Sequence, residues 1–154
     1  MPSRNAWGFS FFCDDLREEI GGKISLMGIY DRDLFFRADT PFAIPKFVIF
    51  VRYFEIIGAF SDDLVLNVFL PGDEADRPAM SLPISRPNIS SPEASLTLPV
   101  DSEPVLSLSV PVFLSPWEIK CEGAVKVRMQ CGGVVTRLGE LQVRKGEPLT
   151  PPSI

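Results

Sequence analysis

Apolar residues in this chain recur at every second position, in run after run, and prolines or small turn residues end each run. Fifteen of the 154 residues are proline, and nine of these fall between Pro71 and Pro116. Proline lacks a backbone donor and clashes with the preceding helical turn. It therefore breaks helices, yet it is tolerated at strand ends, sheet edges and bulges. No stretch carries the 3.6-residue periodicity of a long amphipathic helix, and no internal repeat is present. The pattern predicts an all-β fold.

The alternating runs are Ala6–Cys13, Lys23–Tyr30, Phe47–Ile57, Leu64–Leu70, Met80–Ile84, Ser95–Val100, Val105–Leu114, Ala124–Cys131 and Val134–Val143. Their spacing predicts a single antiparallel β-sandwich of about eight strands over residues 1–146, with a flexible Pro-rich tail at 147–154. In the first run Trp7, Phe9, Phe11 and Cys13 share one face, which is assigned to the core. Phe47–Ile57 is apolar on both faces, as a strand covered on both sides would be. Arg52 and Glu55 interrupt it: either a buried Arg finds a paired acid there, or one face of the strand reaches solvent. Pro111 sits inside an alternating run and so belongs at an edge or bulge. Gly132-Gly133 suits a two-residue hairpin turn, and Gly139 marks a bulge.

Between the first two runs lies Asp14–Gly22, read DDLREEIGG. Asp15 and Glu18 have capping-box spacing, Leu16 and Ile20 lie four apart, and Gly21 is a natural left-handed stop. Together they predict one helical turn after the first strand. The run Phe12-Cys13-Asp14-Asp15-Leu16-Arg17-Glu18-Glu19, followed by Gly22-Lys23-Ile24-Ser25-Leu26-Met27-Gly28-Ile29-Tyr30, resembles the start of a family of small bacterial proteins of unknown function. Members of that family open with F-C-D-D-[IL]-R-x-E and then G-K-x-x-x-[IL]-G-x-Y. The resemblance implies a bacterial single-domain β-sandwich and carries no functional residues with it.

Composition narrows the chemistry. Histidine is absent, which removes Ser-His-Asp and Cys-His catalysis, His-ligated zinc and His proton shuttles. The net charge of −5 disfavours a nucleic-acid partner. Lys126, Arg128, Arg137, Arg144 and Lys145 alternate along strands as a solvated face would. Cys13, Cys121 and Cys131 form no CxxC pair, and Cys13 and Cys131 fall on apolar strand faces as buried thiols. The first residues lack a signal-peptide pattern, and no apolar run approaches the ~18 residues of a membrane span. A cytoplasmic, reducing environment is expected.

The remaining site candidates are acids. Asp31, Asp33, Asp62 and Asp63 flank predicted strands, and carboxylates converging from loops suit a hard cation such as calcium. They are weak candidates, because acids in turns and caps are common. Trp7 and Trp117 could floor a carbohydrate site, but Trp7 is in phase with core residues. The expectation is a non-catalytic protein-interaction or structural module, with no cofactor, whose partner is another protein or a second copy. The alternative is a calcium-dependent or carbohydrate-binding sandwich that uses acidic loops.

Overall fold

The structure is a computed structural model that describes residues 5–86, 96–97 and 104–148. Among the described residues there are thirteen strands and no helix. They are β1 (Ala6–Cys13), β2 (Asp15–Glu18), β3 (Ile24–Met27), β4 (Asp33–Phe36), β5 (Phe42–Ile44), β6 (Phe47–Ile56), β7 (Leu64–Phe69), β8 (Met80–Ile84), β9 (Leu96–Thr97), β10 (Val105–Leu114), β11 (Trp117–Ile119), β12 (Gly123–Cys131) and β13 (Val134–Lys145). One sheet has the order β1-β6-β10-β9 and another the order β4-β13-β12-β7-β8, while β11-β5 and β2-β3 form two-stranded sheets. Every pairing is antiparallel except β13 with β4. The expected strand at Ser95–Val100 is described only at Leu96–Thr97, and most of the expected tail lies outside the described residues.

The buried cluster draws on both large sheets: Phe12, Phe47, Ile49, Val51 and Tyr53 from one, and Leu64, Leu66, Val125, Val127, Met129, Leu138 and Leu141 from the other. Alternation along β6 sends Phe47, Ile49, Val51, Tyr53 and Glu55 toward this cluster, and sets Val48, Phe50, Arg52 and Phe54 on the opposite face. The β12–β13 hairpin turns at Gly132, whose φ is 56°. Val127 pairs with Gly139 and Arg128 with Arg137. Leu138 is therefore the extra residue of a bulge beside Gly139, and it fills the core. Beyond Leu106 the side of β10 away from β6 has no described partner, so Pro111 there costs no ladder hydrogen bond.

Two expectations are corrected. Asp15–Glu18 is a strand, not a helical turn, and pairs Leu16 with Leu26 in a β-hairpin. Gly21 and Gly22 both take positive φ, 84° and 73°, and turn the chain back. Ile20 at the tip is 95% exposed, so it shares no apolar face with Leu16. The cap signals are local, and pairing with β3 satisfies the same backbone groups instead.

The faces of β1 are also reversed. Ala6, Gly8, Ser10 and Phe12 point inward, and Trp7, Phe9 and Phe11 point outward. The cause is the close approach of β1 to β13. A Cβ on Gly8 would lie 2.7 Å from Leu138 Cδ2, and one on Gly139 would lie 3.4 Å from Ser10 Cβ. Rings do not fit in those rows, so the small residues occupy them.

Candidate protein-docking face

The outer face of the β1-β6-β10 sheet is built row by row from the strand register. Trp7 lies beside Phe54 and Ser107, Phe9 beside Arg52 and Ser109, Phe11 beside Phe50 and Pro111, and Cys13 beside Val48 and Phe113. Trp7, Phe9, Phe11 and Phe113 are 44%, 45%, 39% and 48% exposed. The rings on β1 are ordered by one another and by Phe54. Trp7 stacks on Phe54 at 5.7 Å, Phe9 meets Phe11 edge-on at 5.4 Å, and Phe9 lies 6.4 Å from Phe54. A contiguous aromatic face of this kind is far from the scattered apolar residues of an ordinary surface.

Arg52 is the charge at its centre. Its Nη2 donates to Ser107 Oγ at 2.9 Å and its Nη1 donates to Ser109 Oγ. The guanidinium lies 5.1 Å from the Phe54 ring centroid, a cation–π geometry. Among the described residues no carboxylate pairs with it. At the rim, Lys46 Nζ pairs with Asp15 at 2.5 Å and sits 5.9 Å from the Phe113 ring. That ion pair holds the Asp15 carboxyl below its usual range. In the last row Cys13 is fully buried, and burial followed by the Asp14 charge pushes its thiol pKa up.

Glu55 points the other way and has a different role. It is 2% exposed and accepts from Tyr53 Oη at 2.8 Å and from Arg86. Arg86 also donates from Nε to the Asp62 carbonyl at 2.7 Å and from Nη2 to Cys131 Sγ at 3.1 Å. Burial, then the hydrogen bond to Glu55, raises the Tyr53 phenol well above its ordinary value. The carboxylate's partners are all internal, so the cluster locks the edge strand β8 to the core. The sequence signal is an acid in an apolar strand, which requires a buried cation. Its partner, Arg86, lies in the proline-rich middle, where nothing in the sequence marks it out.

The acidic candidates separate. Asp33 lies opposite Gln142 and pairs with Arg144 at 3.0 Å, while Asp31 is exposed beside Arg32 at 3.9 Å. Asp62 sits against the Gly132 turn, and Asp63 follows it. From that turn to Gln142 is about eight residues of strand, or ~26 Å. The two pairs therefore do not share a site. Among the described residues no group of three or more His, Cys, Asp or Glu side chains is placed to hold a metal ion. The tryptophans separate too: Trp117 is buried in the core, and Trp7, against expectation, is exposed on the outer face. No described helix is long and apolar enough to cross a membrane. Compared with protein-family models, with curated proteins and with solved structures, the chain matches none of them.

Proposed function

We propose that this chain is a non-catalytic β-sandwich interaction module that engages protein through the outer face of its β1-β6-β10 sheet. The observation that carries the reading is the row of exposed rings on β1, Trp7, Phe9 and Phe11, beside Arg52 and Phe54, with Phe113 exposed at the far end of the same face. Aromatic residues and Arg are the side chains enriched where protein interfaces concentrate their energy, and Lys, Asp and Glu are depleted there. The face has that composition. The resemblance of Phe12–Tyr30 to small bacterial β-sandwich proteins fits a module of this kind acting in the cytoplasm. The test is a photo-crosslinkable phenylalanine analogue placed at position 9 or 113 in cells. The reading expects discrete crosslinked protein species from both positions; no crosslink from either would overturn it.

One observation favours the carbohydrate-binding alternative. The outer face of the other large sheet forms a groove of about 900 Å³, floored by Asn67, Lys126, Arg128 and Gln130 and walled by Asp73 and Asp76. Ser81 donates to Asn67 at 2.7 Å, and Asn67 to Gln130 at 3.4 Å. Two amides and a hydroxyl, set among charges of both signs, can hydrogen-bond a neutral polyhydroxylated ligand. Oligosaccharide binding that is lost on Asn67→Ala and kept on Phe9→Lys would favour this reading over the first.

A further inference from the structure

The outer face has two unlike halves. On β1 it is a ridge of large rings: Trp7, Phe9 and Phe11. On β10 it is a low shelf, Ser107, Ser109 and Pro111, that ends in a ring at Phe113, in the row where β1 carries the buried Cys13. The strand β6 runs between them and carries Arg52. Two copies stacked face to face about a two-fold axis parallel to β6 exchange left and right. Each ridge then lies over the other copy's shelf. Trp7 meets the partner's Ser107, Phe9 the partner's Ser109, and Phe11 the partner's Pro111. An isologous interface requires this kind of self-complementarity, and a large residue opposite a small one is how facing sheet layers interdigitate.

Building on the docking reading above, we propose that the occupant of this face is a second copy of the chain, bound ridge to shelf about a two-fold axis along β6. The area agrees. The four exposed rings offer roughly 350 Å² per copy at ~200 Å² per ring. Arg52, Phe54 and the shelf bring this to roughly 600 Å², or about 1,200 Å² for both copies, the lower bound for a specific complex. The charge distribution adds a signature. Arg52 lies near the axis, so the two guanidinium groups approach, and both copies carry −5. Screening relieves both repulsions, so the dimer tightens as salt rises, the reverse of an interface held by salt bridges.

A charge exchange tests the geometry. Phe11→Lys places a cation on the ridge, and Pro111→Glu places an anion on the shelf. Both sites are on the outer face, and circular dichroism with thermal melting verifies that each variant folds. Sedimentation velocity on the wild type, from about 1 to about 200 µM, is expected to pass from the 17.1 kDa monomer to twice that mass. Each variant alone is expected to dimerise at least tenfold more weakly. An equimolar mixture is expected to recover dimer, because the ridge cation of one variant then faces the shelf anion of the other while the second ridge and shelf remain native.

A mixture that recovers nothing, or a dimer that weakens with salt, overturns the ridge-to-shelf arrangement. A wild type that stays monomeric overturns the second copy as occupant. Crosslinks from position 9 to a different protein would then leave the docking face itself standing. A monomer whose Trp7 is nevertheless shielded would show that the face is closed within one chain, and would overturn both.

Discussion

Phe9 and Phe12 lie three residues apart on one strand and face opposite ways, which makes them a direct comparison. Phe12 is 4% exposed and packs on Phe47 at 6.3 Å. Phe12→Ala removes a fully buried ring and leaves a cavity between sheets, and is expected to cost about 3–5 kcal/mol. Phe9 is nearly half exposed, and its ring contacts are with Phe11 and Phe54 on the outer face. Phe9→Ala forfeits a partial burial and two ring contacts, about 1–1.5 kcal/mol. Urea unfolding of the dilute monomer gives both values, and in a chain of this size each kcal/mol moves the Tm by about 2–4 °C. Equal costs, or a larger cost at Phe9, would refute the orientation of β1 and with it the docking face.

Two further outcomes follow from the polar contacts. Glu55→Ala leaves the Arg86 charge and the Tyr53 hydroxyl without their shared partner. Breaking a buried pair costs about 3–5 kcal/mol, and because the Arg86 side chain keeps 20% exposure, about 2–4 kcal/mol is expected by urea unfolding. Glu55→Met combined with Arg86→Met is expected to cost less than the sum of the single changes, and strict additivity would sink the cluster. The only two tyrosines are Tyr30 and Tyr53. Both phenols are pushed upward, first by burial and then by acceptors, Asp14 for Tyr30 and Glu55 for Tyr53. A raised folded pKa stabilises the fold fully below the unfolded value of about 10, and that contribution is lost as pH rises above it. Phenolate absorbance is therefore expected to appear only with the loss of far-ultraviolet dichroism. A tyrosine titrating near pH 10 in the folded chain contradicts this.

The runs that form β1, β8 and β10 are legible in the sequence because period-two alternation is a direct print of the pleat. Three features are not legible, each for a physical reason. The orientation of β1 is hidden because its outward row, Trp7, Phe9 and Phe11, is as apolar as a row that lines the core. Gly8 and Ser10 are the clue, since small residues mark where two strands approach closely. The β2–β3 hairpin is hidden because Asp15, Glu18 and Gly21 satisfy the local rules for a helical turn, and only pairing with β3 overrides them. Strand β4 is hidden because Asp33–Phe36 is short and joins β13 in parallel, a partnership with no local signature. Of the docking face, alternation alone groups Trp7, Phe9 and Phe11 as one set but assigns them to the wrong side, whereas the need of Arg52 for either a partner or solvent is visible in the sequence.

The Trp7 side of β1 is open in the isolated chain and is expected to close on association. Trp7 and Trp117 are the only two tryptophans, and Trp117 is 3% exposed, so acrylamide quenching of intrinsic fluorescence isolates the question. In dilute protein one tryptophan is expected to quench readily and the other to resist. As concentration rises, the quenchable fraction is expected to fall in step with dimer formation. Two shielded tryptophans in the dilute monomer, or an accessible Trp7 at every concentration and in the presence of every protein it crosslinks to, would contradict the account.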